Sequence, residues 1–591
     1  MRAQDSSPTD EQKDIREADA PFVVSACPGS GKTRSIVDRF LRLAATSARA
    51  AGVAVLSFTN RVAEEIRERC GRSKAPIRPD FPNYVGTIDS FIGRFLAVPF
   101  NPWNALRQPT MLDSWDRIPS EIWSTSGIRV SLDWLKDDDG APPQFNDRAI
   151  SRELRSVPAE ELKNLASRAA RLRKSLRHNG YMSSHDARIA ATQMISEERR
   201  GPHLGRALAA RFKEVLVDEA QDCNSLDWTI LEWLSSVGIP ICFVADANQS
   251  IYEFRDAVPG RLADLACSAK QLTLTANFRS TAKICQVAAT LRSKKEPDLA
   301  SGIYAAESQR LVVIHGPKLD GAMGERFTAH AASLGISSDE CIVLGHADAA
   351  ACRVAGRTAE DEVKDSKVKQ LAESVLQFKR RGASGRDRVI AVTGMQRLLM
   401  SLLDKESPLW VPEDLAIAEG IPPRWLRRAA VHLLATMPFP PSEKAEVPGW
   451  LDQFHKFVDA LAGPNGRSPA FNFSKSPRPP KGRWEIQTEG GQKLAALTVH
   501  KAKGAEFKAV LFVIPQFDVH SLELLTAWAE NRESEARRVA YVAVTRARRL
   551  LGLAVAEKQR PTVLAILKAA GVEFDLLGDP IPPTVNQGEF W

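Results

Sequence analysis

The chain has no long apolar run and no cysteine pattern of a metal or disulfide framework. None of its 591 residues belongs to a run of the roughly 18 apolar residues that a transmembrane helix needs. The polar start, Met1 to Pro8, lacks the apolar core of a secretory signal. The eight cysteines are scattered, without a C-x-x-C pair or a histidine spacing suited to zinc, so reduced thiols are expected. These absences favour a cytoplasmic protein without a membrane segment.

Composition excludes a disordered or fibrous chain. With 44% hydrophobic and 26% charged residues, the sequence can bury sizeable cores, and its length predicts two to four domains. Lys and Arg exceed Asp and Glu by 80 to 72, which gives a net charge of +8. That excess is compatible with a polyanionic partner but is modest for this length.

A glycine-rich loop follows the first apolar run of the chain. The run from Phe22 to Ala26 predicts a buried strand, and apolar residues at helical spacing predict a helix from Lys32 onwards. Such a loop offers backbone N–H groups, a lysine charge and a Mg²⁺-binding hydroxyl to a nucleotide phosphate. The residues assigned to these roles are Gly29, Ser30, Gly31, Lys32 and Thr33. Ala26 stands where the strict pattern has glycine, and a glycine turn before a structural helix is the alternative.

Two adjacent acids end a later apolar run. Asp218 and Glu219 follow Val215 to Val217, which places both carboxylates at the end of a predicted strand. Asp218 can hold Mg²⁺, and Glu219 can orient or deprotonate an attacking water molecule. Taken alone, such a pair is more often a solvated turn. After a phosphate loop, the catalytic interpretation is favoured.

Arg279 and Arg546 are candidates for arginine fingers. Phosphoryl transfer needs positive charge near the γ-phosphate as the transition state forms. Both arginines lie in the second α/β half of the chain, so closure of the two halves would complete the site and couple hydrolysis to movement. The alternative for each arginine is a surface salt bridge.

Several aromatic and polar residues at predicted strand ends are candidates for a single-strand site. Single strands are held by aromatic faces that stack on bases and by polar groups that contact phosphates. The candidates are Phe58, Asn60, Thr87, Tyr252, Phe254 and His500. Phe254 is favoured by its polar neighbours, whereas Phe91 fits a core position equally well.

Apolar runs and helical patterns alternate in two series, which predicts an α/β fold with two parallel sheets. Each series is interrupted by a mainly helical segment. The predicted division is 1–100 with 181–275, an insertion at 101–180, then 276–365 with 485–591, and a compact insertion at 366–484.

The order of the motifs resembles the UvrD/Rep/PcrA family of superfamily 1A helicases. After the phosphate loop, the segments that carry the resemblance are Val217–Asp222, Gln249–Arg255, Asn277–Ser280, Thr498–Phe507 and Tyr541–Ala547. The resemblance implies two RecA-like P-loop domains, each with an insertion. It also implies an ATP- and Mg²⁺-dependent DNA helicase that moves 3′ to 5′ on single-stranded DNA.

The resemblance also implies roles for further residues around the nucleotide. Gln12 would read adenine, and Phe278 would stack on the base. Arg34 and Glu506 would contact the base or sugar region, with Gly504 in the same set. Gln249 would link the γ-phosphate to the DNA site and is counted with the catalytic residues.

Departures from the family pattern keep a second interpretation open. Asp246 lies in a segment that differs from the usual one, Asp89 stands where histidine is common, and the second insertion is short. About 45 residues follow Arg546, so a nuclease domain is not expected, because small domains need about 50 residues. The alternative is a DNA-end-sensing ATPase that works with a nuclease partner, like the helicase-like subunit of the Gabija anti-phage system. A nucleotide-binding protein without turnover is a third.

Overall fold

The structure is a computed structural model of the chain. It describes residues 7–46, 51–58, 60–72, 79–100, 105–157 with several gaps, 158–251, 261, 269–293, 296–356, 366–379, 385–402, 421–461, 471–480, 494–516 and 518–578. No helix within these ranges is both long and apolar enough to cross a bilayer.

Six parallel strands form the first sheet. Numbered in chain order, they are β1 (Phe22–Ala26), β2 (Gly52–Ser57), β3 (Tyr84–Thr87), β6 (Phe212–Asp218), β7 (Ile241–Ala245) and β8 (Lys270–Leu274). Their spatial order is β3-β2-β6-β7-β1-β8. Successive side chains of a strand point to opposite faces, so Val23 and Val24 enter different cores.

Helices cover both faces of this sheet, as a parallel sheet requires. One face packs against α1 (Asp10–Glu17), α2 (Lys32–Thr46) and α3 (Asn60–Arg72). The other packs against α4 (Ile88–Ile92), α6 (Ser184–Ile195), α7 (Arg200–Arg211) and α8 (Ser225–Ser236).

The second sheet repeats the first. Its parallel strands are β11 (Leu311–Gly316), β12 (Cys341–Gly345), β13 (Ala495–Thr498), β14 (Phe507–Ile514), β15 (Ala547–Ala556) and β16 (Phe574–Leu577). The order β13-β12-β14-β15-β11-β16 matches the first sheet strand for strand. The helices beside it are α9 (Ala282–Thr290), α10 (Gly321–Ser333), α11 (Asp348–Val354), α16 (Val499–Ala502), α17 (Val519–Ala529), α18 (Glu535–Val544) and α19 (Arg560–Ala569). The predicted fold of two RecA-like domains is confirmed.

Each predicted insertion contains a core of its own. The first holds β4 (Thr110–Leu112) and α5 (Ala159–His178), packed around Trp115 and Leu165, and β4 pairs with β5 (Tyr181–Ser183) just beyond the predicted end of the insertion. The second is helical in its described part, with α12 (Ser366–Lys379), α13 (Gly385–Ser401), α14 (Pro423–Thr436) and α15 (Val447–Asp459) around a core that includes Leu433 and Phe454. The exact division of the chain into four parts stays a prediction.

A short parallel pair lies between the two sheets in the chain. Its strands are β9 (Ala276–Asn277) and β10 (Leu299–Ala300). The segment after β9 carries Phe278 and Arg279 past the carboxyl end of β1. Because ligands of parallel sheets bind at the carboxyl ends of the strands, this edge is where a site is expected.

Candidate active site

The phosphate loop joins the carboxyl end of β1 to the first turn of α2. Gly29 and Gly31 have φ angles of +71° and +84°, in the left-handed region that glycine adopts without steric cost. A Cβ atom at Gly29 would lie 2.5 Å from the Cβ of Arg279. The Phe278 N–H donates to the Gly29 carbonyl at 2.9 Å. The glycines therefore let the loop pack directly against the segment that carries Arg279.

This loop has the features of an anion site. Lys32 and Thr33 begin α2, where unpaired N–H groups and the helix dipole favour negative charge. The Ser30 hydroxyl donates to the Cys27 carbonyl at 2.8 Å and closes the turn. Ala26 is the last, buried residue of β1 and precedes the glycine turn. The departure from the strict pattern therefore lies outside the turn itself.

Asp218 and Glu219 lie at the carboxyl end of β6. Asp218 is buried, and its Oδ1 atom has no hydrogen-bond partner within the described residues. Burial and the adjacent Glu219 carboxylate raise the pKa of Asp218. Burial alone would also raise the pKa of Glu219, but the charges of Lys32 and Lys503 outweigh it, so that pKa is lowered. Glu219 is thus the ionised member of the pair.

The site has oxygen atoms that suit a hard divalent cation. A buried carboxylate oxygen without a donor is an unusual feature in a folded protein and fits Mg²⁺, as does the Thr33 hydroxyl. No cage of three or more His, Cys, Asp or Glu side chains occurs in the described part of the chain. Such a cage is not needed, because Mg²⁺ commonly binds through one or two protein oxygens, substrate phosphates and water.

A continuous set of hydrogen bonds leads from Glu219 to Arg546. The Gln221 side-chain amide donates to the Glu219 carboxylate, and the Gln221 Oε1 accepts from the Asp246 N–H at 3.1 Å. The Gln249 amide donates to Asp246 Oδ2 at 2.8 Å. Arg546 Nη2 then donates to Gln249 Oε1 at 3.1 Å. Gln249 therefore connects an acid of the first sheet to an arginine of the second.

The two candidate finger arginines lie beside each other. Arg546 is 2% exposed, and burial together with the nearby Arg279 charge lowers its pKa to about 9. Arg279 donates from Nε to Glu506 at 2.6 Å and from Nη1 to the Thr545 carbonyl at 3.1 Å. The segment of Arg279 also touches Gly29. Residues of the second sheet therefore hold the Arg279 guanidinium group, while the backbone of the same segment packs on the phosphate loop.

Lys503 joins the site without having been assigned a role from the sequence. Its ammonium group lies 2.5 Å from the Asp222 carboxylate and donates to the Gln249 carbonyl at 2.8 Å. This buried ion pair crosses from the second sheet to the first, and the Lys503 charge contributes to the lowered pKa of Glu219. The only sequence signal was its position in the motif Thr498–Phe507.

Gln12 is fixed beside the phosphate loop. The Thr9 hydroxyl accepts from the Gln12 N–H at 3.3 Å, and the Gln12 side chain accepts from the Thr9 N–H, which forms a capping box at the start of α1. The Gln12 amide donates to the Ser30 carbonyl at 3.0 Å. A residue assigned to base reading therefore contacts the loop assigned to phosphate.

The other residues assigned to the nucleotide surround the same region. Arg34 is the second residue after Lys32 in α2, and its Nε atom lies 3.7 Å from the Asp38 carboxylate. Phe278 is half-buried beside the loop. Gly504 has a φ of +82°, which turns the chain just before Glu506. These roles remain predictions.

The strand-binding candidates occupy the same edge of the sheets where the structure describes them. Thr87 ends β3 and caps α4, its hydroxyl accepting from the Ser90 N–H at 3.1 Å. Phe58 follows β2 and is half-buried. His500 Nε2 lies 3.2 Å from the Ile251 carbonyl, across the two sheets. Tyr252, Phe254 and the side chain of Asn60 lie outside the described residues.

Two departures from the family pattern have local partners. Asp89 lies 2.7 Å from the Arg188 guanidinium, which is also 2.7 Å from the buried Asp227 carboxylate. Asp246 accepts from Gln249, as described above. Phe91, the alternative core residue, is 1% exposed and packs edge-to-face on Tyr84.

Two RecA-like sheets with a phosphate loop on one and arginines from the other define a P-loop motor ATPase. The UvrD/REP helicase N-terminal domain family matches residues 8–269, and the UvrD-like helicase C-terminal domain family matches residues 483–558. Together the two matches cover more than half of the chain. The chain belongs to the UvrD-like family of ATP-hydrolysing DNA helicases.

Curated relatives are similar at low identity. The ATP-dependent DNA helicase PcrA of Bacillus subtilis is 25% identical over 296 residues, which span 47% of this chain and 38% of PcrA. The ATP-dependent DNA helicase UvrD2 of Mycobacterium tuberculosis is 24% identical over 605 aligned residues, covering 95% of this chain and 81% of UvrD2. The putative ATP-dependent DNA helicase YjcD of Bacillus subtilis is 23% identical, and the alignment covers 93% of this chain and 79% of YjcD.

Proposed function

We propose that this protein moves along single-stranded DNA in the 3′ to 5′ direction and separates strands, driven by Mg²⁺-dependent ATP hydrolysis between its two RecA-like domains. The observation that carries the proposal is the set of hydrogen bonds from Glu219 through Gln249 to Arg546. It joins an ionised acid to a buried cation of the other domain. The names of the relatives, ATP-dependent DNA helicases, support the same activity.

The residues of the site have different roles in phosphoryl transfer. Lys32 and the N–H groups of the loop bind phosphate. Arg279 and Arg546 place positive charge next to the negative charge that develops on the phosphate in the transition state. Glu219, with its lowered pKa, accepts a hydrogen bond from the attacking water and can take its proton. Asp218 and Thr33 would hold Mg²⁺, which neutralises charge on the phosphate oxygens when bound.

Contacts between the two sheets link this chemistry to the strand. Lys503 and Arg546 contact the Gln249 region, and Arg538 Nε donates to the Ser250 carbonyl at 2.8 Å. His500 contacts the next residue, Ile251, so a strand-binding candidate lies directly beside these contacts. Loss of the phosphate that Arg546 faces therefore changes the affinity for the DNA strand, through the contacts at Gln249 to Ile251.

Strand displacement tests the proposal directly. Two duplexes of equal sequence, one with a 3′ single-stranded tail and one with a 5′ tail, are incubated with ATP and Mg²⁺ while hydrolysis is recorded in the same samples. We expect displacement of the 3′-tailed duplex alone, with Lys32→Ala inactive in both readouts. Displacement of the 5′-tailed duplex would overturn the polarity. Hydrolysis without displacement would favour the DNA-end sensor that acts with a nuclease partner.

A further inference from the structure

Arg39 is a buried cation that joins three elements of the nucleotide site. It lies seven residues after Lys32 on α2, two turns further along the same helix face. Its side chain is 2% exposed. Nε and Nη2 donate to the two oxygens of Glu214 at 2.6 and 2.8 Å. Nη1 donates to the carbonyls of Ile15 and Ala18 at 2.9 and 2.7 Å.

The three joined elements carry three parts of the site. α1 carries Gln12 and ends at the carbonyls that Arg39 binds. α2 begins at Lys32. β6 carries Glu214 and, four residues later, Asp218. One guanidinium group therefore sets the relative positions of the base-reading, phosphate-binding and acidic elements.

α1 depends on such an anchor. It has eight residues, and helices of this length are marginal in water by themselves. The last carbonyls of a helix have no partner within the helix, and a cation there also complements the helix dipole. Arg39 meets both needs and stacks over the Phe22 ring of β1 at 4.7 Å. A lysine ammonium lacks the planar fork that serves Glu214 and the carbonyls together.

We propose that Arg39 is a positioning residue for base recognition, which sets the preference for adenine by holding α1, and with it Gln12, against the phosphate loop. The inference rests on the proposed function in that the protein binds ATP with Gln12 at the base. A merely structural Arg39 would lower stability and affect all nucleotides alike. A positioning role changes discrimination between bases and leaves phosphate binding intact.

Calorimetric dissociation constants for ATP, GTP and tripolyphosphate test this role in the full chain. We expect Arg39→Lys to lower the preference for ATP over GTP about five- to tenfold, the value of about one hydrogen bond. Tripolyphosphate affinity should not change, because the loop and Lys32 are untouched. Glu214→Gln keeps the shape of the acid but loosens Arg39, and it should give a smaller fall in the same direction.

A double-mutant cycle identifies the residue through which Arg39 acts. Gln12→Ala should lower the preference, and any preference that remains should be the same with and without Arg39→Lys. Arg188→Lys is the matched control, because Arg188 is also a buried arginine bound to a buried acid, Asp227 at 2.7 Å, on the opposite face of the sheet. It should leave the preference unchanged.

The outcomes separate the positioning role of Arg39 from the proposed function of the protein. An unchanged preference in Arg39→Lys, or a further loss in the Gln12→Ala background, would overturn the positioning role and leave the ATPase standing. A wild-type protein that binds ATP and GTP equally would overturn it as well. Absence of any nucleotide binding in the wild type would overturn the proposed function itself.

Discussion

Asp218 and Glu219 are neighbours in the chain, yet burial and charge move their pKa values in opposite directions. The difference comes from the partners: the Lys503 charge and the Gln221 amide favour the ionised form of Glu219, whereas Asp218 Oδ1 has no donor among the described residues. Glu219 also has a φ of 55°, an uncommon conformation for a residue with a side chain. Such backbone strain persists where the surroundings enforce it, often at functional sites.

Glu219→Gln tests the role of the ionised acid. The amide keeps the shape but cannot accept a proton, so we expect ATP hydrolysis to fall by about 10² to 10⁴-fold, with ATP binding retained. Because the pKa of Glu219 is lowered, the carboxylate stays ionised throughout the neutral range, and its titration should add no pH dependence there. Steady-state hydrolysis and calorimetric binding measure both effects. Hydrolysis at the wild-type rate would remove Glu219 from the mechanism.

At the scale of elements, the second sheet repeats the strand order of the first but not its anion site. The loop from β11 to α10 lacks the Gly-Lys-Thr sequence. Asp320 occupies the start of α10, where its side chain accepts from the Ala322 N–H at 3.1 Å. A carboxylate at that position already satisfies the helix N-terminus and repels phosphate. The second loop therefore lacks the features that make the first loop an anion site.

We therefore predict a stoichiometry of one ATP per chain. Calorimetric titration with ATP and Mg²⁺ should give a single site, and Lys32→Ala should abolish the binding heat because no second phosphate loop replaces it. Asp320→Ala is the control and should leave the stoichiometry unchanged, since the second loop lacks the lysine. Two equivalent sites in the wild type would contradict the prediction.

The central strands of the first sheet were predictable because nearly all of their residues are buried. The predicted Phe22–Ala26 strand has the same bounds in the structure. Strands of parallel sheets are continuous apolar runs, which a local pattern reveals. Arg39 was not predictable as a site residue, because its partner Glu214 is 175 positions away and local periodicity carries no information about such pairs.

At the scale of the whole molecule, a buried ion pair between Lys503 and Asp222 crosses between the two sheets. The side chain of Lys503 is 7% exposed and that of Asp222 is 1% exposed, and the two residues belong to motifs of different domains. A buried pair contributes less than its Coulomb attraction, because both charges lose water, but removal of one partner is costly, at about 3–5 kcal/mol. The pair therefore favours the closed arrangement of the two domains for as long as both charges are present.

Lys503→Met should separate the two domains and slow ATP hydrolysis. The variant leaves Asp222 without its cation, so we expect the two domains to separate until water reaches the carboxylate, with a larger radius of gyration in small-angle scattering and slower ATP hydrolysis. Lys501→Met is the matched control, because Lys501 pairs with Asp348 at 2.7 Å on the exposed surface of one domain, where ion pairs contribute little. Asp222→Asn combined with Lys503→Met removes both charges and should return the radius towards the wild-type value without restoring the hydrolysis rate, since Glu219 still lacks the lysine charge. Equal scattering from the Lys503 and Lys501 variants would mean that other contacts hold the domains closed.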